Sequence, residues 1–283
     1  MMRKKRGEAG MHRILCSTGA LIGRPNGRDF RLLSCCAERL KCDGFEFMMY
    51  DSWYERLEEL SRFLLSLSLN IPVMHCEKHI GEALSAGTEE KRREAEAHFE
   101  VNCQLACALG AKTMVMHLWD GLPSDRMIHH NVAAYPALRE KALAHGIDLT
   151  VENVVCAQQD PLTHWRTLLE KAPQAHFTYD TKMAAFHGQT EEMYAPENSF
   201  LWTEGHIVHL HVNDYAGGYK EWEKLRTLHI GEGQIDFQRL FAYLRRVAYA
   251  GDYTVEATSF LPDGIIRFQA LNRTFDRIRA LTA

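Results

Sequence analysis

Short runs of apolar and β-branched residues alternate along the whole chain with longer stretches in which apolar side chains recur every three to four positions. The short runs fall near 13–18, 44–48, 71–75, 112–117, 147–153, 176–180, 206–212 and 253–257. They read as strands. The longer stretches fall near 28–41, 52–69, 88–110, 124–146, 160–171, 190–204, 236–249 and 264–281. They read as helices. Such alternation predicts a parallel sheet with helical crossovers. Eight of each is the number that closes a (β/α)8 TIM barrel. The clearest helix carries TEEKRREAEAHFE, with Thr88 placed to cap its start and Gly110 just past its end. Its dense charges read as a solvated face. No Pro- or Ser-rich linker divides the chain, so a single α/β barrel domain is expected over residues 11–283. Residues 1–10, MMRKKRGEAG, read as a disordered basic tail, and Met11 could serve as the natural start.

Polar residues punctuate the ends of the strand-like runs. Glu152 closes LTVE, Asp180 closes HFTYD, His211 lies in HIVHLHVND and Glu256 closes YTVE, with gaps of 28, 31 and 45 residues. One βα unit takes roughly 30 residues. Each of the four therefore ends a successive strand, 5 to 8, at the face where such barrels carry their chemistry. An open doubly wound sheet would instead gather its ligands at one switch point. Alternation along HIVHLHVND places His209, His211 and Asn213 on one face. Three carboxylates and an imidazole around one axis would repel strongly without a cation between them. The set points to an enzyme with one divalent metal ion, and its chemistry suits Mn²⁺, Mg²⁺, Co²⁺ or Zn²⁺. Earlier strands end in Glu46, His75 and His117. The two imidazoles are candidates for hydrogen bonding to a hydroxylated substrate or for further metal ligation, and Glu46 for orienting an imidazole. Trp119 is a candidate wall of the pocket, two residues past His117. Lys182 is a candidate contact for a substrate anion or a developing oxyanion. His229 opens the glycine-flanked HIGEGQIDF, whose glycines allow close backbone approach to a ligand or a turn with positive φ.

Composition narrows the partners. Hydrophobic residues make up 46% of the chain and charged residues 25%, with a formal net charge of −4. This gives no cationic surplus for gripping nucleic acid. No run of 18 apolar residues offers a membrane span. Eight cysteines without a CxxC pair fit a reduced, cytoplasmic protein with buried thiols. A small molecule is the expected partner, and a homo-oligomer is compatible with the sequence.

The order DGFEF, LTVEN, FTYDT, HLHVND and HIGEGQIDF resembles the xylose isomerase-like TIM-barrel superfamily over residues 11–281. That superfamily includes sugar phosphate isomerases and epimerases, ketose 3-epimerases, inosose isomerases and dehydratases, and more distantly endonuclease IV. The resemblance implies a metal on Glu152, Asp180, His211 and Glu256, with Glu152 and Glu256 also acting as acid and base on opposite faces of a substrate. It implies isomerisation or epimerisation of a keto sugar, sugar phosphate or inosose. The proton α to the carbonyl would leave through a metal-stabilised enediolate, and an inosose-type dehydration would branch from the same species. An endonuclease IV-like hydrolase acting on abasic DNA is the alternative. The chain departs from it at Met183, where a His is expected, and at Arg226-Thr227-Leu228-His229, where an Asp-Arg-His run is expected. Met183 also departs from many epimerase-like relatives.

Overall fold

In the computed structural model, residues 12–120 and 125–283 are described, and the tail expected over residues 1–10 lies outside them. Eight short strands form: β1 (Ile14–Ser17), β2 (Gly44–Met48), β3 (Val73–His75), β4 (Thr113–Met116), β5 (Asp148–Glu152), β6 (His176–Asp180), β7 (Ile207–His211) and β8 (Asp252–Val255). They pair in sequence order, all parallel, and β8 closes on β1. The closed (β/α)8 barrel expected from the hydrophobic pattern is therefore the architecture found.

The strands are buried on both faces, but the two faces differ in chemistry. Outward residues such as Phe47, Met74, Met114, Leu149, Phe177 and Leu210 pack against the helices in one large apolar core. Inside the barrel, Leu15, Val73 and Val115 form a small apolar cluster. The rest of the interior near that level is polar. Thr150 and Thr178 share a hydrogen bond of 2.7 Å, and Glu46, His209 and Thr254 form a second group. The β6–β7 register shifts between Phe177 and Thr178, after which Thr178 pairs with His209 and Asp180 with His211. That irregularity aligns the inward side chains of the two strands.

The Glu89–Leu109 helix begins at Thr88, whose hydroxyl accepts from Lys91 N–H, and ends at Gly110 with φ +80°. Arg92 and Arg93 bridge Glu89, as expected of a solvated face. Two expected helices are broken instead. Over 190–204 only two 3₁₀ turns and a four-residue helix, Phe200–Thr203, form, because Pro196 forces Ala195 into an extended conformation (φ −66°, ψ 147°). Over 28–41 a four-residue helix, Leu33–Cys36, sits between 3₁₀ turns. Two short helices, His79–Ser85 and Thr181–Phe186, follow β3 and β6 directly and were not expected. All eight cysteines are free. No helix among the described residues is long and apolar enough to cross a membrane.

Candidate metal centre and cavity

At the C-terminal mouth of the barrel, Glu152, Asp180, His211 and Glu256 each offer a ligand atom, and these four atoms lie within 4.8 Å of one another. His211 Nδ1 is the hub. It lies 3.2 Å from Glu152 Oε1 and 3.2 Å from Glu256 Oε2. Its other nitrogen, Nε2, lies 3.2 Å from Glu46 Oε2. Glu46 is wholly buried and also accepts from His209 Nε2 at 3.0 Å and Thr254 Oγ1 at 2.8 Å. A carboxylate at Nε2 holds the proton there, which in the neutral ring leaves the Nδ1 lone pair facing the carboxylates.

Charge balance supports a cation at this point. Burial opposes ionisation of Glu152, but the nearby His211 and His117 outweigh it and hold the carboxyl well below its ordinary range. Burial likewise opposes ionisation of Glu256, yet His211 brings it down to about 2. Asp180 goes the other way. Burial pushes it up to about 6, against the pull of Lys182 and with the help of the Glu152 and Glu256 charges. His211 is raised well above the usual imidazole value, because Glu256, Glu46 and Glu152 overcome its desolvation. One imidazolium thus answers several buried carboxylates. An oxygen-rich set with a single nitrogen, closely gathered and negative in sum, fits a hard or borderline divalent ion.

The surrounding residues fix each candidate ligand. Asp180 caps the Thr181–Phe186 helix through Met183 N–H at 3.0 Å. Its Oδ2 accepts from Asn213 Nδ2 at 3.0 Å. Asn213 Nδ2 also lies 3.2 Å from Glu256 Oε2, and Asn213 Oδ1 accepts from Glu256 N–H. Asn153 clamps the Asp180 backbone from the other side. Glu152 Oε2 is met by His117 Nε2 at 2.9 Å and by His75 Nε2 at 3.3 Å. His75, His117 and Glu152 form a second close group that shares Glu152 with the first. His117 Nδ1 faces Asp120 Oδ1 at 3.3 Å.

Above the ligands opens a cavity of about 370 Å³, with Glu256, Lys182, Thr227, Lys78, Asp120 and Tyr50 in its wall. Of the five side chains expected to meet a substrate, Lys182 lines this cavity. His75 and His117 lie behind Glu152 and brace it. Trp119 is not a wall of the cavity. The β4 strand ends at Met116, so alternation no longer governs residue 119. Its indole is buried in the outer core, edge-on to His164 with ring centroids 4.9 Å apart. His229 is not aimed at the cavity either. Its ring bridges Thr274 Oγ1 at 2.9 Å and Ser259 Oγ at 3.2 Å, tying the Phe268–Thr282 helix to the loop after β8. The glycines of HIGEGQIDF wrap a side chain of the protein. Asp214 accepts from the N–H groups of Gly231 and Gly233 (2.7 and 3.0 Å) and of Ile235 (3.1 Å). Gly231 has φ +84°, and a Cβ on Gly233 would sit 2.4 Å from Asp214 Oδ1. Outside the barrel, Asp125, Cys156 and His164 gather, with His164 Nε2 2.5 Å from Asp125 Oδ1, and Asp125 also accepts from Gln158 N–H. They tie the loop after β4 to the loop after β5.

The sequence alone left Asn213 as a face-mate of His211 and gave no role to Asn153, Lys78 or Asp120. The Asn after Glu152 and the Asn two residues after His211 were the available signals, because they stand one and two steps past strand ends that carry candidate ligands.

The fold has many solved counterparts. A D-allulose 3-epimerase from Methylomonas sp. superposes with a TM-score of 0.69 at 17% identity, covering 97% of this chain and 100% of that one. A 3-keto-D-glucoside 4-epimerase from E. coli superposes with a TM-score of 0.65 at 16% identity, covering 95% and 100%. The IolI protein, solved with a zinc atom bound, superposes with a TM-score of 0.69 at 14% identity, covering 95% and 98%. A search of curated proteins returns no match. The family model for xylose isomerase-like TIM barrels matches residues 36–271, and the chain belongs to that family.

Proposed function

We propose that the protein is a divalent-metal-dependent isomerase or epimerase of a keto sugar, sugar phosphate or inosose. The observation that carries this reading is the pair of glutamates on either contact of His211 Nδ1, each at 3.2 Å, beneath a cavity of about 370 Å³. The zinc in IolI and the sugar epimerase activities named for the other two counterparts support it. Glu152, Asp180, His211 and Glu256 would hold the ion. When bound, it would orient the substrate and draw electron density from the carbonyl, easing loss of the neighbouring proton.

The chain's own groups divide the remaining work. One glutamate takes the proton α to the carbonyl, and the other returns a proton, either to the same carbon from the opposite face or to the adjacent carbon while a proton passes from the neighbouring hydroxyl oxygen to the former carbonyl oxygen. Glu152 is held rigidly by two imidazoles, with its side chain 2% exposed. Glu256 is 12% exposed and faces the cavity, while Asn213 fixes its approach. His117 is a ready proton donor beside Glu152. Burial and Lys78 oppose its protonation, but Glu152 and Asp120 raise its affinity for the proton.

The test uses Mn²⁺-loaded protein, a panel of ketoses and inososes, and D₂O as solvent. Metal-dependent deuterium incorporation α to a carbonyl is expected for at least one compound, with Glu152→Gln and Glu256→Gln each abolishing it. Full activity in either variant would reject the two-glutamate scheme. A second reading has one observation in its favour. The His75–His117–Glu152 group adjoins the first and could carry a second ion, as a metal-dependent hydrolase would need. Metal content separates the two. One exchangeable ion per chain supports the isomerase, and several tightly held zinc ions with cleavage of abasic DNA support the hydrolase.

A further inference from the structure

The cavity wall contains Arg28, Lys78, His79 and Lys182. Two of these side chains have a carboxylate within hydrogen-bond distance. Arg28 pairs with Asp51 at 2.9 Å, and His79 with Glu77 at 2.6 Å. Lys182 is different. Its side chain is only 9% exposed, and what remains exposed faces the cavity. Its ammonium donates to Thr227 Oγ1 at 2.9 Å. Its ion-pair partner, Asp180 Oδ2, is 3.9 Å away, beyond hydrogen-bond distance.

An ammonium carries three donors. One neutral hydroxyl satisfies one of them. Asp180 already gives Oδ1 to Met183 N–H and Oδ2 to Asn213, and its remaining charge belongs to the ligand set. A buried ammonium is costly to keep unless an anion pairs with it. A neutral sugar would not supply that anion.

Building on the isomerase or epimerase reading, we propose that the substrate is an anionic sugar derivative, and that Lys182 Nζ, with Thr227 Oγ1 beside it, holds the substrate's carboxylate or phosphate. The two anions share the chemistry that recognises them: negatively charged oxygens that accept from an ammonium and a hydroxyl. Thr227 and Glu256 line the same cavity, so the anion is seated in the chamber where the proton is moved.

The test compares D-fructose, D-fructose 6-phosphate and the keto sugar acid D-fructuronate on the Mn²⁺-loaded full chain, with affinity from calorimetry and deuterium incorporation measured in parallel. At least one anionic compound is expected to bind on the order of 10- to 100-fold more tightly than D-fructose. Lys182→Met should erase that ratio, while Lys182→Arg should keep most of it. Which anion is preferred tells carboxylate from phosphate. Mn²⁺ stoichiometry and circular dichroism establish that Lys182→Met is folded and loaded, and if it is not, Lys182→Gln replaces it. Equal affinity for all three compounds, or an anion preference that survives loss of the ammonium, would overturn the proposal. The two readings fail separately. Anion preference without any deuterium exchange keeps the subsite and rejects the isomerase. Exchange into D-fructose with no preference keeps the isomerase and rejects the subsite.

Discussion

Glu46→Gln is the most informative perturbation of the centre, because Glu46 touches no part of the cavity yet controls the residue at its hub. In the native protein Glu46 Oε2 takes contacts from His211 Nε2 at 3.2 Å, His209 Nε2 at 3.0 Å and Thr254 Oγ1 at 2.8 Å. The substitution keeps the shape and removes the charge. A charge-assisted hydrogen bond is roughly twice as strong as a neutral one, so the preference for the proton at Nε2 weakens and the Nδ1 lone pair is less often available. Loss of such an outer partner typically lowers metal affinity by about 10–100-fold, or about 1.4–2.8 kcal/mol. A second effect has the opposite sign. Burial opposes protonation of His211, and Glu256, Glu46 and Glu152 together overcome it. Removing the Glu46 charge therefore lowers the His211 pKa, and metal binding displaces fewer protons from the variant. Competition titration of Mn²⁺ or Zn²⁺ against a fluorescent chelator, repeated in two buffers of different ionisation enthalpy by calorimetry, measures both quantities. The expected result is weaker binding with a smaller proton release. Unchanged affinity at neutral pH would refute the claim that Glu46 sets the tautomer of His211.

Other consequences can be tested separately. On the proposed ligand set, metal binding needs ionised Asp180, whose carboxyl is pushed up to about 6 by burial. Apparent affinity should therefore fall as pH drops through that value, and a profile flat between pH 5 and 7 would contradict it. Gly233→Ala places a Cβ 2.4 Å from both Asp214 Oδ1 and the Tyr215 carbonyl. Overpacking of this kind costs about 1–3 kcal/mol, so urea unfolding should show a lower midpoint, and an unchanged midpoint would mean that the loop does not wrap Asp214 as described. Trp119→Phe should lower stability while leaving the Mn²⁺ dissociation constant within about two-fold, since the indole packs on His164 outside the barrel; a large loss of metal affinity would return Trp119 to the cavity wall.

The barrel was legible because each strand is a short run of mainly apolar or β-branched residues bounded by longer helical stretches, and each candidate ligand stands where such a run stops. Glu152, Asp180, His211 and Glu256 could be read in that way because strand periodicity governs direction up to the last paired residue and the eight strands share one polarity. The same rule fails one step further along. Trp119 lies three residues past the end of β4 at Met116, and once pairing ends the side chain turns where packing takes it. His229 shows a related limit. Its glycines announced a tight turn, but the partner that the turn encloses, Asp214, lies 15 residues earlier in the chain, and spacing gave no sign of it.

What stayed hidden was mostly the bracing between strands. Glu46 and His211 are separated by 165 positions, and His117 and Glu152 by 35. Such pairs arise only when the barrel closes and brings the mouth residues within one side chain's length of each other. Asp180 shows why the bracing and the ligand set cannot be separated. Its Oδ1 caps the Thr181–Phe186 helix through Met183 N–H, while its Oδ2 accepts from Asn213 and faces the centre. The backbone amide, not the thioether of Met183, makes that contact, so the side chain at 183 is free to differ from relatives without disturbing the cap. The helix in turn carries Lys182 into the cavity wall. A change at Asp180 would therefore disturb the proposed ligation, the helix start and the placement of Lys182 together, whereas a change at Lys182 or Met183 leaves the candidate ligand set standing. Variation after β6 is accordingly the place where this barrel can alter its cavity wall while keeping the candidate ligand set.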